Sequence, residues 1–466
     1  MGTVWEGLLF STQDTVHFIG IGGIGVSAVA RILVSQGVTV TGSDVRTSQI
    51  TLELESLGAR INIGHSAGHV DGVDLVVHST AIPETNCELV AARERGVRIV
   101  HRSEILGAIV AQHELSIGVV GTHGKGTVAS AITWILERAG RRPAFVIGGL
   151  LENMGKLNAR YVDGSVVVAE VDESDGSLRN VHPHIVVINN LEADHLNYYD
   201  SLEHIQDTVI EALDANPRLK HVVINADCPG ATKLIDRIDA NVFTFGREQP
   251  ADLRCVDVSC AAMESRLVLE KGGTRLGSAV MGQPGLYNVD NATAAAAVAG
   301  LLEIPFETIA EALESFRGLE NRFTVLEIGQ RRVIKDYISH PTGIRRVLAA
   351  VKNDGRPITA VFKPYRFTMI NYLQEDYAEA FHDADHTVIT ELYTAGEVPI
   401  PGIDTEFLCQ KIRERGPKVT FIQEMDAIVA FLHESASTRE QVVFFGGDDL
   451  FQLADRYASE LRGKLP

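Results

Sequence analysis

Cysteine is scarce in this chain. Five occur in 466 residues, Cys87, Cys228, Cys255, Cys260 and Cys409, an odd number with no Cys-x-x-Cys pair. A disulfide framework and a structural zinc site are therefore not expected, and free thiols in a reducing cytoplasm are the plain reading. Positive charge is also short. Lys and Arg total 42 against 61 Asp and Glu, a net charge of −19. Non-specific binding to nucleic acid or to an anionic membrane needs basic surface, so neither is expected as a partner. No apolar run reaches the roughly 18 residues of a membrane-spanning helix. The opening residues lack the basic segment and cleavage site of a secretory signal. Aromatic residues make up only 6% of the chain. An anionic small molecule stays within reach, because a local glycine turn can bind phosphate on an acidic protein.

What is present is glycine, 42 residues, and a steady alternation of Val/Ile-rich strands with helical stretches. That pattern predicts doubly wound α/β domains. Strands are expected at Thr15–Ile19, Val38–Gly42, Leu75–His78 and Val97–Val100. A fresh start follows at Leu115–Val120, then Val166–Glu170, Ile185–Asn189 and Val222–Asn225. Residues 251–281 alternate polar and apolar around Gly272-Gly273, which predicts a hairpin. An alanine-rich helix is expected over Asn291–Leu302. A third α/β region begins near Val325. Three domains are expected, 1–113, 114–323 and 324–466.

Two glycine turns follow strands. The stronger is Gly121-Thr122-His123-Gly124-Lys125-Gly126-Thr127, between an apolar strand and a helix. There, backbone N–H groups point at an anion and Lys125 would neutralise β/γ-phosphate charge. The alternative is an ordinary strand–helix turn with an exposed lysine. The run is shorter than GxxxxGK[ST], and Gly126 rather than a hydroxyl residue follows the lysine. Thr127, one place later, is a candidate magnesium ligand. Two polar clusters end later strands, Glu170-Val171-Asp172-Glu173 and Asn189-Asn190-Leu191-Glu192-Ala193-Asp194-His195. Ligands of open α/β sheets bind at the carboxyl ends of strands, and magnesium prefers oxygen donors. Glu173 is the first candidate ligand and His195 a candidate for a second ion; solvated acidic loops are the alternative. The other turn is Gly20-Ile21-Gly22-Gly23-Ile24-Gly25, a GxGxxG with Asp44 ending the next strand. It suits a diphosphate, either of a dinucleotide or of a nucleotide sugar.

The ordered set GIGGIG, GSD, STAIPETN, GTHGKGT, DESDGS, NNLEADH, PGLYNVDNATAA, NRF, DYISHPTGI, ELYTAGEVPIPGID and FFGGDDL resembles the Mur ligase family over essentially the whole chain. The likeness is nearest to the members that join an amino acid to UDP-N-acetylmuramate. It implies an α/β fold of three domains: an N-terminal Rossmann-like domain for the UDP-sugar, a central P-loop ATPase domain and a C-terminal Rossmann-like domain for the amino acid. It implies ATP and Mg2+ as cofactors and a UDP-sugar carboxylate and an amino acid, L-alanine first, as small-molecule substrates. It also implies an acyl phosphate route to the amide, in a monomer or homodimer. Carried over by position, Lys125 would hold the γ-phosphate, Glu173 and His195 the metal, and Arg322 and Asp336 would contact ATP. Asn288 and Asn291 match an adenine-contacting pair, with helix capping as the alternative. Gly20, Gly22, Gly23, Ile24 and Asp44 would bind the UDP part, with Ser79, Thr80 and Ala81 on the sugar side. Arg366 would meet the amino-acid substrate.

Three positions depart from the family motifs. Gly126 replaces a hydroxyl residue, as it does in the folylpolyglutamate synthetases of the same superfamily. Ser339 replaces a histidine, and Met369 an arginine associated with the amino acid. A carboxylate left without that partner would lose roughly 1.5–3 kcal/mol of binding. A different acceptor, or a divergent paralogue with weakened catalysis, is the alternative these positions raise. A nicotinamide-dependent dehydrogenase, suggested by GxGxxG alone, is set aside by the phosphate loop a hundred residues later.

Overall fold

The computed structural model describes residues 13–173, 176–194, 198–261, 263–435, 437 and 439–463, with the backbone of 4–5 and 8–9. The chain forms two compact units. One comprises residues 1–256, 269–277 and 291–317, and the other 257–268, 278–290 and 318–466.

A short antiparallel pair, β1 (Val4–Trp5) and β2 (Leu8–Leu9), precedes the first sheet. That sheet holds β3 (Thr15–Ile19), β4 (Thr39–Asp44), β5 (Arg60–Ile63), β6 (Leu75–His78) and β7 (Arg98–His101), in the order β5-β4-β3-β6-β7. All its pairings are parallel. The strand order reverses between β3 and β6, and such a switch point opens a crevice at the strands' carboxyl ends. The first glycine turn lies there and leads into α1 (Ile24–Ser35). Further helices are α2 (Gln49–Ser56), α3 (Cys87–Glu94) and α4 (Arg102–Ala111). Beneath the turn lies a buried carboxylate. Glu88 accepts from the Ser43 hydroxyl at 2.5 Å, and its oxygens lie 3.2 Å and 2.6 Å from Nδ1 of His65 and His69. The Ser43 carbonyl accepts the N–H groups of Gly20 and Ile21.

The second sheet is built on β8 (Leu115–Val120), β9 (Ala144–Leu151), β10 (Leu157–Arg160), β11 (Val166–Glu170), β12 (Ile185–Ile188), β13 (His221–Asn225) and β14 (Asn241–Gly246). It continues through β15 (Leu253–Cys260), β16 (Ser265–Lys271) and β17 (Thr274–Met281), and its order is β10-β9-β11-β8-β12-β13-β14-β15-β16-β17. Its central strands are buried on both faces, hence the unbroken Val/Ile runs. The Gly272-Gly273 hairpin is present, joining β16 to its neighbour β17. The second glycine turn leads from β8 into α5 (Lys125–Arg138). The first sheet packs on the second within one unit. The buried Asn158 of β10 donates to the Ile24 carbonyl at 2.9 Å and to the Ser27 hydroxyl at 2.8 Å.

The other unit carries a six-stranded sheet of β18 (Thr324–Ile328), β19 (Arg331–Asp336), β20 (Ile358–Phe362), β21 (His386–Ile389), β22 (Lys418–Phe421) and β23 (Gln441–Phe445). Its order is β18-β19-β23-β20-β21-β22, parallel except for β18 against β19. The fold is the expected α/β architecture of mostly parallel sheets. The alanine-rich helix begins earlier than its composition suggested, spanning Leu286–Leu301. The five cysteines are free thiols. Among the described residues, no helix is long and apolar enough to cross a membrane.

Candidate active site

Strand β8 lies between β11 and β12. This one fact of topology brings the phosphate-loop residues and both polar clusters to the same sheet edge. Gly121 and Gly124 adopt φ of +145° and +79°, which glycine accepts without strain. A Cβ on Gly124 would stand 2.4 Å from Oδ1 of Asn291, so the backbone there is also closed to larger residues. Lys125, the first residue of α5, donates to the Gly121 carbonyl at 2.8 Å and to Oε1 of Glu173 at 2.8 Å. Burial pushes the Lys125 ammonium down, but the carboxylates of Glu173, Asp172 and Glu170 outweigh it and hold the pKa above the ordinary lysine value. The lysine therefore stays charged at neutral pH.

The loop is braced from β12. Asn190 accepts the His123 N–H at 2.7 Å and returns a bond to the His123 carbonyl at 2.8 Å. Asn189 donates to the same carbonyl at 3.0 Å and to Oδ1 of Asn291 at 2.9 Å. Thr122 accepts the Glu192 N–H at 2.9 Å, and His123 Nε2 lies 3.3 Å from Glu192. The asparagines were legible only as part of a polar strand end, and their work on the loop was missed. Gly126 and Thr127 are half-buried in the first turn of α5. His195 lies outside the described residues.

At the first glycine turn, Gly22 donates to Oδ2 of Asp44 at 2.9 Å, and Gly23 donates to the Gly20 carbonyl at 3.0 Å. Asp44 thus braces the turn. A Cβ on Gly22 would stand 2.9 Å from the same carboxylate oxygen. Ile24 opens α1, and Ser79, Thr80 and Ala81 follow β6, the first half-buried and the other two exposed.

In the other unit Asp336, at the end of β19, is buried and accepts the Phe323 N–H at 3.2 Å. Its Oδ1 has no hydrogen-bond partner among the described residues. Burial raises its pKa to about 7, against the pull of Arg322 and the Phe323 amide. Arg322 is exposed, donates to the Tyr337 carbonyl and lies 5.4 Å from the Tyr337 ring centre. Asn288 donates to the Pro284 carbonyl at 2.9 Å. Arg366 holds a φ of +64°, and its guanidinium lies 5.0 Å from the centre of the Tyr365 ring. Tyr365 in turn stacks on Tyr393 at 5.6 Å. Met369 is half-buried on the helix that follows, Phe367–Tyr372. Ser339 offers its carbonyl to the Tyr377 hydroxyl at 2.7 Å, while His340 caps Pro341–Lys352 by accepting the Thr342 N–H.

Three family models match in succession: the Mur ligase family catalytic domain over residues 15–114, the Mur ligase middle domain over 119–299 and the Mur ligase glutamate ligase domain over 321–447. The chain belongs to the Mur ligase family. It is 38% identical to a UDP-N-acetylmuramate–L-alanine ligase of Geobacter sp. strain M21, covering 97% of this chain and 99% of that one. A ligase of the same name from Geotalea uraniireducens is 37% identical, over 98% and 100%. Among solved structures, the UDP-N-acetylmuramate-alanine ligase of Thermotoga maritima superposes with a TM-score of 0.83 at 28% identity, covering 97% of this chain and all of that one. A murein peptide ligase from Psychrobacter arcticus shares the fold, with a TM-score of 0.71 at 22% identity over 97% and 100%.

Proposed function

We propose that this Mur ligase joins L-alanine to the carboxylate of UDP-N-acetylmuramate at the expense of ATP, releasing ADP and phosphate, in the synthesis of peptidoglycan precursors. The observation that carries the reading is the Lys125–Glu173 pair, a half-buried lysine on a buried carboxylate, at the mouth of a glycine loop flanked by acidic and amide-bearing strand ends. A carboxylate is a poor electrophile, and activation as an acyl phosphate gives it a leaving group that an amine can displace. The work left to the protein is alignment of anions and screening of their charge. Lys125 and the loop residues Gly121, Thr122, His123, Gly124, Gly126 and Thr127 do this for the triphosphate. By the resemblance, Asn288, Asn291, Arg322 and Asp336 would be further ATP contacts, and the buried, unpartnered Oδ1 of Asp336 suits such a role. Glu173, Thr127 and His195 would hold Mg2+, which when bound screens phosphate charge. A buried carboxylate beside Asp172 is an oxygen donor set suited to that ion. Gly20, Gly22, Gly23, Ile24, Asp44, Ser79, Thr80 and Ala81 hold the UDP-sugar, and Arg366 holds the amino acid's carboxylate.

One observation favours a second reading, a different acceptor. Met369, an apolar side chain, stands one helical turn from Arg366, where the family motif carries a second arginine. Phosphate release from purified protein, ATP, Mg2+ and UDP-N-acetylmuramate separates the two. Release with L-alanine alone supports the first reading, and release only with another amine supports the second. ATP binding without release in a broad amino-acid panel refutes both and leaves a non-catalytic paralogue. The enzyme is expected to act in the cytoplasm as a monomer or homodimer, which light scattering would resolve.

A further inference from the structure

Arg102 opens α4 in the first sheet's layer, and its guanidinium does two things at once. Its Nη2 donates to Oδ2 of Asp172 at 2.8 Å, and both side chains are part-buried, at 18% and 32% exposure. It also lies against the first turn of α1. A Cβ on Gly25 would stand 3.3 Å from Nη1 and 3.5 Å from the guanidinium carbon. The last glycine of the GxGxxG therefore makes room for a cation. That cation adds to the partial positive charge at the start of α1, and two like charges set side by side favour an anion between or beside them. Asp172 precedes Glu173, and both act electrostatically on Lys125. The charged series Arg102, Asp172, Glu173 and Lys125 thus runs from the UDP-sugar turn to the phosphate loop, within one compact unit.

We propose that Arg102 is a substrate contact that holds the anion of the UDP-linked acid at the first turn of α1, with Asp172 as the counter-ion that keeps the guanidinium in place. The anion is the diphosphate or the carboxylate. The inference rests on the UDP-sugar reading above. The bland alternative is a strut that only ties the first sheet to the second.

Titration calorimetry of the full chain with UDP-N-acetylmuramate and with UDP-N-acetylglucosamine, which keeps the diphosphate but lacks the carboxylate, decides among these. Arg102→Gln should weaken binding about ten- to a hundredfold, the range of a lost charge-assisted hydrogen bond. Weakening toward both ligands assigns the diphosphate, and weakening toward the muramate alone assigns the carboxylate. Asp172→Asn removes the strut but keeps the cation, so it should change either affinity less than about threefold. Arg102→Lys should recover part of the loss and guards against a misfolded glutamine variant. Equal weakening by Arg102→Gln and Asp172→Asn, or none by Arg102→Gln, overturns the inference while leaving the UDP-sugar reading intact. A wild-type chain that binds neither nucleotide sugar overturns both.

Discussion

Replacing Asn190 by Asp tests how the phosphate loop is held. The change keeps the side chain's shape and its acceptor for the His123 N–H, a 2.7 Å bond. It exchanges the donor 2.8 Å from the His123 carbonyl for a second oxygen. Two acceptors then face each other at a position only 6% exposed, so neither turns easily to water. The His123 carbonyl keeps its bond from Asn189 at 3.0 Å, but losing one bond and burying a carboxylate oxygen with no donor costs about 1–3 kcal/mol. The new negative charge, beside the loop proposed to hold the triphosphate, adds about 1 kcal/mol at the high effective dielectric of a protein surface. The sum predicts a KM for ATP raised by roughly thirty- to several-hundredfold at about 1.4 kcal/mol per tenfold. Asn190→Ala removes both bonds but creates neither repulsion nor charge, so its KM for ATP should rise less, by roughly five- to thirtyfold. Steady-state phosphate release at varied ATP measures both. Affinity for the UDP-sugar, whose turn belongs to a different sheet, should stay within about twofold of wild type for either variant. If the two substitutions act equally, or if both lower kcat without moving KM for ATP, Asn190 is not a brace of this loop.

Lys125→Ala should abolish phosphate release while leaving UDP-sugar affinity nearly intact by calorimetry. It should also lower the melting temperature, because Glu173 stays buried without its ammonium, and Lys125→Ala with Glu173→Gln should regain most of that loss. Asp336 should make stability fall as pH rises. Its pKa is raised to about 7 from an ordinary 3.8, so its contribution is full below 3.8 and lost as pH climbs through 7. Asp336→Asn should flatten that part of the stability curve, by up to about 4 kcal/mol between pH 4 and 8, and an unchanged slope in denaturant titrations at several pH values refutes the assignment. Glu88 acts in the opposite sense. Burial opposes its charge, but the nearby His17 imidazole and hydrogen bonds with Ser43 and His69 hold its pKa down at about 2. Its contribution is present above 4.5 and lost as pH falls through 2. Glu88→Gln should cost about 3 kcal/mol at neutral pH and remove that acid dependence.

What could be read from the sequence was whatever lies close along the chain to a strand end. Thr15–Ile19, Leu75–His78, Leu115–Val120 and Val166–Glu170 appear as drawn, because each is an apolar run stopped by glycine or a polar cluster. Arg60–Ile63 escaped notice because it is a short edge strand, largely exposed, with no alternating pattern. Ala144–Leu151 escaped because Gly148-Gly149 reads as a breaker. In the fold, the Gly148 N–H is held instead by Glu170 of the neighbouring strand at 2.6 Å. The asparagine brace and Arg102 were invisible for a different reason. Asn190 meets His123 across 67 residues and Arg102 meets Asp172 across 70, so each contact exists only once strands or sheets have docked.

The same distinction bears on the three departures from the family motifs. Gly126 sits next to Lys125, yet the lysine's bonds to Gly121 and Glu173 do not pass through a side chain at 126. The charge pair that would hold the phosphate is therefore built without the missing hydroxyl. Ser339 enters its surroundings through its carbonyl, on the Tyr377 hydroxyl, a contact that a histidine backbone would make equally well. Met369 differs in kind. An unbranched apolar side chain on Phe367–Tyr372 supplies no cation for a carboxylate, and the guanidinium of Arg366 leans on the Tyr365 ring nearby. If these positions keep the roles proposed above, divergence in this chain falls on recognition of the incoming amine rather than on handling of phosphate. A ligase altered in that way should keep its affinity for ATP and the UDP-sugar at family levels and show its difference in KM for the amino acid. The reverse pattern, weak ATP binding with an ordinary KM for L-alanine, would place the divergence at Gly126 instead.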